Sequence, residues 1–237
     1  KKIMPFTEAA KRTLELNLDT SKFKDKIEVV HFATKAINKK PIKNKIDQKI
    51  RLLYVGSKRL NNSNNFYIKG GKEIVDAFEI LNKKYANLEL IIVAYVPDEI
   101  KDKLKKIGNF KIINDINRKE LTEIYHKCDI YLYPTYIMPG LAVVEAIGSG
   151  MPIITTDIPG NDEIIEDSKN GFVIELPYKD VYGVGGSVSI KNFNSYITKM
   201  QKENGVALTN GIVNNVSKLI GDKSLIKKMG EYSRKKY

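Results

Sequence analysis

Residues Asp129 to Asp157 read DIYLYPTYIMPGLAVVEAIGSGMPIITTD. DIYLYPT is a short run of Ile, Leu and Tyr ending in proline, which is strand chemistry. GLAVVEAIGSG has the length and the Ala, Leu and Glu content of a helix, and MPIITTD is again β-branched. A strand, a helix and a second strand in so few residues describe a crossover between parallel strands. The helix is apolar around its whole circumference except at Glu145, so it is expected to be buried on all sides.

The same alternation extends in both directions from this unit. KIRLLYVG (49–56) and LELIIVAY (88–95) are nearly continuous apolar runs, as expected of strands covered on both faces. KGGKEIVDAFEILNKKYA places Ile74, Phe78, Leu81 and Tyr85 on one helical face. PDEIKDKLKKIG is helical with Pro97 near its first turn. FKIINDI is a strand, and NRKELTEIYHKC carries the Asn117 to Glu120 spacing of a capping box above a stripe of Leu121, Ile124, Tyr125 and Cys128. NDEIIEDS is expected to form one more short helix and NGFVIEL one more strand. The fold class is therefore α/β, a Rossmann-like, doubly wound parallel sheet. In such sheets ligands bind at the carboxyl ends of strands.

A carboxylate on a helix buried all round is costly unless a cation, several donors or a ligand's hydroxyls meet it. The helix amino end falls on the ligand-binding edge of the sheet, and TYIMPG supplies no Ser, Thr, Asp or Asn cap next to Gly140. First-turn amides left without a partner, together with the helix dipole, suit an anion such as phosphate. Glu145, one to two turns further in, is at a distance suited to the sugar hydroxyls of a nucleotide. Equally, it could cap a neighbouring loop or pair with a lysine. The loop after the first strand, SKRLNNSNNFYIKGG, adds Lys58, Arg59 and Lys69 near the same edge, where cations could match a diphosphate.

Composition narrows the alternatives. The chain has 237 residues, 42% of them hydrophobic, and a formal charge of +12. Its lysines are interspersed with acids, and neither an aromatic–basic strand motif nor zinc-finger spacing is present, so no nucleic acid is expected as partner. One cysteine, Cys128, excludes an internal disulfide framework and fits a reducing, cytoplasmic setting. Two histidines and one cysteine argue against a structural zinc, and no metal or cofactor is expected. The chain starts at Lys1 without methionine and is expected to be a piece of a longer protein. Its first residues hold a strand-like start, a helix from Thr7 to about Leu16, the run IEVVHF and a lysine-rich linker. The glycine-rich VYGVGGSVS (181–189) lacks the spacing of a dinucleotide fingerprint and reads as a connection before terminal amphipathic helices.

These residues resemble the nucleotide-sugar-dependent glycosyltransferases of GT-B fold, in the retaining group known as family four or glycosyl transferases group one. VGSKRL and KGGKEIVDAF are similar to that family's first strand, basic loop and helix, with Lys69, Gly70, Ala77 and Phe78 in register. LTEIYHKCDIYLYPT and PGLAVVEAIGSGMPIITTDIPGNDEIIEDSKNGFVIEL match the rest of its signature, including Gly140, Leu141, Glu145, Gly150, Pro152, Glu163 and Gly171. The resemblance implies that residues 1–40 end an amino-terminal acceptor domain and its crossing linker, and that 41–237 form the donor domain. It further implies a donor site made of Arg59, Lys69, Ile137, Met138, Pro139, Gly140, Leu141 and Glu145. Glu145 would hold the ribose, the Gly140 and Leu141 amides a phosphate, and Lys69 with Arg59 the diphosphate charge, without a metal.

The implied partners are a nucleotide sugar, the missing amino-terminal domain and a sugar, lipid or protein acceptor. Peripheral contact with the inner face of a membrane is compatible with the basic surface. Two features depart from the family pattern. Ile137 stands where the family has a second glutamate that contacts the transferred sugar, and Ser57 stands at a common arginine position. No catalytic residue is assigned. His31 lies near the expected interdomain cleft but lacks an orienting partner, and His126 is expected to be solvated. Tyr136 lies close to the site, whereas Tyr131 and Tyr133 are expected to pack. The alternatives to a glycosyltransferase are a nucleotide-sugar epimerase of the same fold and a catalytically idle nucleotide-binding relative.

Overall fold

The runs of apolar residues pair as one sheet in the computed structural model, which describes residues 1–31, 49–56, 64–137, 140–178 and 193–236. Six strands, β1 (Ile50–Val55), β2 (Leu88–Val93), β3 (Phe110–Ile112), β4 (Ile130–Tyr133), β5 (Ile153–Thr156) and β6 (Gly171–Ile174), pair in parallel throughout. Their order is β3-β2-β1-β4-β5-β6. The helices are α1 (Glu8–Asn17), α2 (Asn64–Ile68), α3 (Gly71–Lys84), α4 (Asp98–Ile107), α5 (Arg118–Lys127), α6 (Leu141–Gly148), α7 (Phe193–Gly221) and α8 (Lys223–Lys236).

Alternation along each strand divides the interior into two cores. Leu52 and Tyr54 of β1, Leu90 and Ile92 of β2, and Ile130 and Leu132 of β4 join α3, α4 and α7. Leu53 and Val55, Ile91 and Val93, and Tyr131 and Tyr133 point the other way, onto α5 and α6. Side chains on a strand take opposite faces in turn, so a strand apolar at every position can serve two layers of helices. That is the doubly wound arrangement expected from the sequence. The strand order reverses between β1 and β4, and in sheets of this kind the crevice that binds ligands lies at the carboxyl ends of the strands at such a switch point.

The two loops at that crevice are stitched together. The Tyr136 amide donates to the Ile68 carbonyl at 2.9 Å. Gly70 caps α3 in the left-handed region, with φ of 70°, and a Cβ there would overlap the Pro134 carbonyl oxygen. Only glycine meets both demands at low cost. A second close approach, Gly230 of α8 against the Gly150 carbonyl after α6, seats the terminal helix.

Some local expectations change. NDEIIEDS forms turns instead of a helix, because short polar side chains take the backbone groups a helix would use. Asn161 donates to the Thr156 carbonyl at 3.0 Å, and Asn170 binds both the Glu166 amide (2.8 Å) and the Ile164 carbonyl (3.1 Å). β3 stops at Ile112, although the Ile113 amide still donates to Ile92. Part of the loop before Lys69 is the short helix α2, nucleated by the buried Phe66 against the Tyr54 ring. The lysine-rich linker up to residue 48, Lys58, Arg59, Met138, Pro139 and the glycine-rich 181–189 stretch lie outside the described residues.

An acid of the sheet domain meets the amino end of α1. Thr7 caps α1, its hydroxyl accepting from the Ala10 amide at 3.0 Å. The Glu163 carboxylate accepts from the amides of Glu8 (2.7 Å) and Ala9 (2.8 Å). A negative charge at a helix amino end satisfies orphan donors and the dipole together. The strand-like start reduces to one parallel bridge between Ile3 and Ile27.

Candidate active site at the β1/β4 crevice

The floor of the crevice is built from the ends of β1 and β4. Lys69 sits in the turn between α2 and α3 and is half-buried. Burial lowers its amine pKa from the usual lysine value. No carboxylate among the described residues pairs with it. A desolvated ammonium without a counter-ion is unfavourable by itself and becomes favourable when an anion arrives.

This turn meets the end of β4, where Gly70 lies against Pro134, and α6 follows β4 in the chain. Gly140 is the N-cap of α6 and no side chain caps it. The Gly140 amide is nonetheless occupied, because it donates to the Tyr133 hydroxyl oxygen at 3.2 Å. This narrows the expectation from the sequence: Gly140, expected to offer its amide to a phosphate, is held to the end of β4. Leu141 is half-exposed, at 52%.

Glu145 is 5% exposed and has two partners. Arg118 Nη1 donates to Oε1, and the Tyr125 hydroxyl donates to Oε2 at 3.1 Å. Both partners lie on α5, seven positions apart and therefore on one face two turns from each other. The alternative of a pairing lysine is replaced by an arginine. Burial, and then the adjacent Glu145 charge, push the Tyr125 phenol well above its ordinary value, so it stays a donor. Its single proton is shared with the Ala142 carbonyl, 3.2 Å away.

The capping box at the start of α5 is complete: Asn117 accepts from the Glu120 amide and Glu120 accepts from the Asn117 amide, each at 3.0 Å. It fixes Arg118 as the first helical residue. A cation there opposes the helix dipole, so its place is owed to Glu145 and not to the helix. That mismatch was the sequence signal for Arg118, and the shared stripe with Tyr125 was the signal for its companion. Neither was singled out from the sequence.

Other candidates resolve differently. Ile137 packs against the α3/α7 core, and its amide donates to Thr135 Oγ1 at 3.1 Å. Tyr136 is fully buried and cannot stack on a base. His31 lies at the surface, with Nδ1 3.2 Å from the Phe6 carbonyl, and His126 is half-buried instead of solvated. Among the described residues, no group of three His, Cys, Asp or Glu side chains could hold a metal.

A parallel sheet of this order, with helices on both faces, is a Rossmann-like α/β domain. The chain belongs to the glycosyl transferases group 1 family, whose profile matches residues 36–181. Over 57 residues it is 46% identical to the GtfA subunit of the UDP-N-acetylglucosamine–peptide N-acetylglucosaminyltransferase of Streptococcus pneumoniae, covering 23% of this chain and 11% of that protein. It resembles the crystal structure of the carboxyl-terminal domain of a group 1 glycosyl transferase from Francisella tularensis, with a TM-score of 0.57 at 20% identity. That match covers 79% of this chain and 83% of the other. Pneumococcal GtfA, solved in complex with UDP and GlcNAc, gives a TM-score of 0.59 at 18% identity over 98% of this chain and 40% of that one. The chain spans less than half the length of the curated relatives it matches.

Proposed function

We propose that this chain is the donor half of a retaining glycosyltransferase and binds a nucleoside diphosphate sugar in the β1/β4 crevice. The observation that carries this reading is Lys69, a half-buried lysine that pairs with no carboxylate among the described residues, in the turn whose Gly70 meets Pro134 at the end of β4. In this role Lys69, with Arg59 from the preceding loop, neutralises the diphosphate. The α6 first-turn amides contact one phosphate, and Glu145 accepts from the ribose hydroxyls. Stabilising the leaving diphosphate is what these groups contribute to transfer, since positive charge there is worth most as the glycosidic bond breaks. The charge is met by side chains and amides, so the reading assigns no metal and no cofactor. The UDP named for the pneumococcal relative makes uridine the first base to test.

Ile137 supplies no acceptor to the transferred sugar, which is therefore held by other groups. Acceptor binding belongs to the amino-terminal domain in this reading, with residues 1–40 as its end. Six of the large apolar side chains exposed among the described residues, Ile3, Met4, Phe6, Leu16, Leu18 and Val30, lie on this segment, as a surface that packs against such a domain would require. No helix among the described residues is long and apolar enough to cross a membrane. The reading places the protein in the cytoplasm, with any membrane contact peripheral.

The test is a thermal-shift panel of UDP, GDP, ADP, CDP and TDP and their sugars. One base class should stabilise the chain, and Lys69→Ala should abolish that shift while the variant stays folded. Equal responses to every nucleotide, or to none, would sink the reading. Conversion of a nucleotide sugar without acceptor would point instead to an epimerase.

A further inference from the structure

A cavity of about 480 Å³ opens between α3 and α7, a size usual for small-molecule sites. Lys69, Gly140, Leu141 and Glu145 take no part in its lining. Glu73 is the one lining residue that is buried. Gln201 Nε2 donates to its Oε1 at 3.3 Å. Oε2 is buried and has no hydrogen-bond partner among the described residues. The Tyr136 hydroxyl interacts with this carboxyl electrostatically but completes no hydrogen bond either. A buried polar atom left in this way is unfavourable until a partner reaches it.

Gly205 of α7 keeps the approach to that carboxyl open. A Cβ on Gly205 would stand 3.6 Å from Glu73 Oε1, an ordinary contact, and meet nothing else within 4 Å among the described residues. Gly211 on the same helix differs, because a Cβ there would overlap Ile174. Packing therefore demands glycine at 211 and not at 205, although glycine inside a helix is destabilising relative to alanine. What the missing side chain at 205 does is leave the space in front of the Glu73 carboxyl joined to the cavity.

We propose that the α3/α7 cavity is a second binding site, separate from the donor crevice, for a neutral polyhydroxylated ligand of about monosaccharide size, with Glu73 and Gln201 at its floor. The lining charges select that class. Exposed Lys72 and Lys202 oppose a cation, and the Glu73 carboxyl opposes an anion at the floor. The other acid, Asp76, is engaged by Lys72 and Lys103. Burial raises the Glu73 pKa, and a hydroxyl meets either form, donating to the carboxylate or accepting from the acid. Gln201 and the two lysines donate to the remaining hydroxyl oxygens.

The experiment titrates the chain, followed by amide NMR shifts, with glucose, galactose, mannose and N-acetylglucosamine and with their methyl glycosides. Glucuronate and spermidine serve as charged controls. At least one sugar should saturate in about the millimolar range, with shifts confined to the facing parts of α3 and α7. Binding of the methyl glycoside as well as the free sugar marks a residue of a glycan as the occupant, and binding of the free sugar alone marks a small metabolite. Gly205→Leu should weaken binding by about tenfold or more, and Gly205→Ala by less, while the melting temperature of the alanine variant holds or rises. Loss of binding without loss of stability is a result that a packing role for Gly205 does not give. Four outcomes overturn the inference: no sugar saturates, a charged control binds better, Gly205→Leu binds as the unsubstituted chain does, or UDP displaces the sugar. The last would place the sugar in the crevice and leave the donor-site reading standing.

Discussion

Arg118 and Glu145 stand on different helices, 27 residues apart in sequence, and meet with the arginine largely in water and the acid almost entirely out of it. The pair is therefore asymmetric. Arg118→Ala strands a buried carboxylate with the Tyr125 hydroxyl alone and should cost about 1–3 kcal/mol. Glu145→Gln frees an exposed arginine to solvent and should cost less than about 1 kcal/mol. Urea titrations of the two variants would show the order, and a larger loss for Glu145→Gln would contradict it.

Lys69 predicts a trade of stability against binding. Lys69→Met removes a desolvated charge that no carboxylate among the described residues pairs with, so the free chain should hold or slightly gain melting temperature. Because folding lowers the amine pKa, its cost is fully present at neutral pH and disappears above the unfolded lysine value. The same variant should bind a nucleoside diphosphate about ten- to a hundredfold more weakly and the matching nucleoside unchanged. Calorimetry with both ligands checks the pair of expectations.

Gly70→Ala should be the most damaging small substitution at the crevice. Its φ of 70° disfavours any L side chain, and the new methyl would meet the Pro134 carbonyl. A loss of about 3 kcal/mol or more is expected, together with nucleotide binding, since this turn carries Lys69. A variant with unchanged melting and binding would show that the two loops need not touch.

Glu73, on the first turn of α3, is 1% exposed, and burial raises its carboxyl pKa despite the 3.3 Å contact from Gln201 Nε2. The folded state thus holds this proton more tightly than the unfolded one. Its stabilising contribution is complete below the unfolded glutamate value and is lost as pH rises through the folded one. Glu73→Gln, which cannot ionise, should gain on the unsubstituted chain as pH rises from about 4 to 8. Melting temperatures across that range should diverge; parallel curves would place the titration elsewhere.

Glu163 tests the docking of α1. Glu163→Ala leaves the Glu8 and Ala9 amides without their acceptor and should cost about 1 kcal/mol. Hydrogen exchange should accelerate in α1 and remain unchanged in the β1 and β4 strands.

Much of this fold is local and so was legible. LELIIVAY and IRLLYV are apolar but for Glu89 and Arg51, each near the start of its run, and a strand so nearly apolar has to be covered on both faces. Asn117 and Glu120 announce a helix start because both halves of the capping box lie within four residues. NDEIIEDS misled because its acids and apolar residues fit a helical period, whereas Asn161 and Asn170 bind backbone groups that only the folded turn brings within reach. Gly140 showed the opposite limit. Its lack of a polar cap was visible, but the hydroxyl that takes its amide belongs to Tyr133, seven residues earlier.

By itself the sequence determined that strands and helices alternate, that α6 is buried, and that a lone carboxylate on it must be answered. These follow from side-chain period and from the cost of removing charge from water, which depend on neighbours along the chain. Tertiary structure decided what answers Glu145, which loops border the crevice and how α1 is anchored. Those outcomes depend on which helix faces α6 and which strand lies beside β1, and such distances are set only when the sheet assembles.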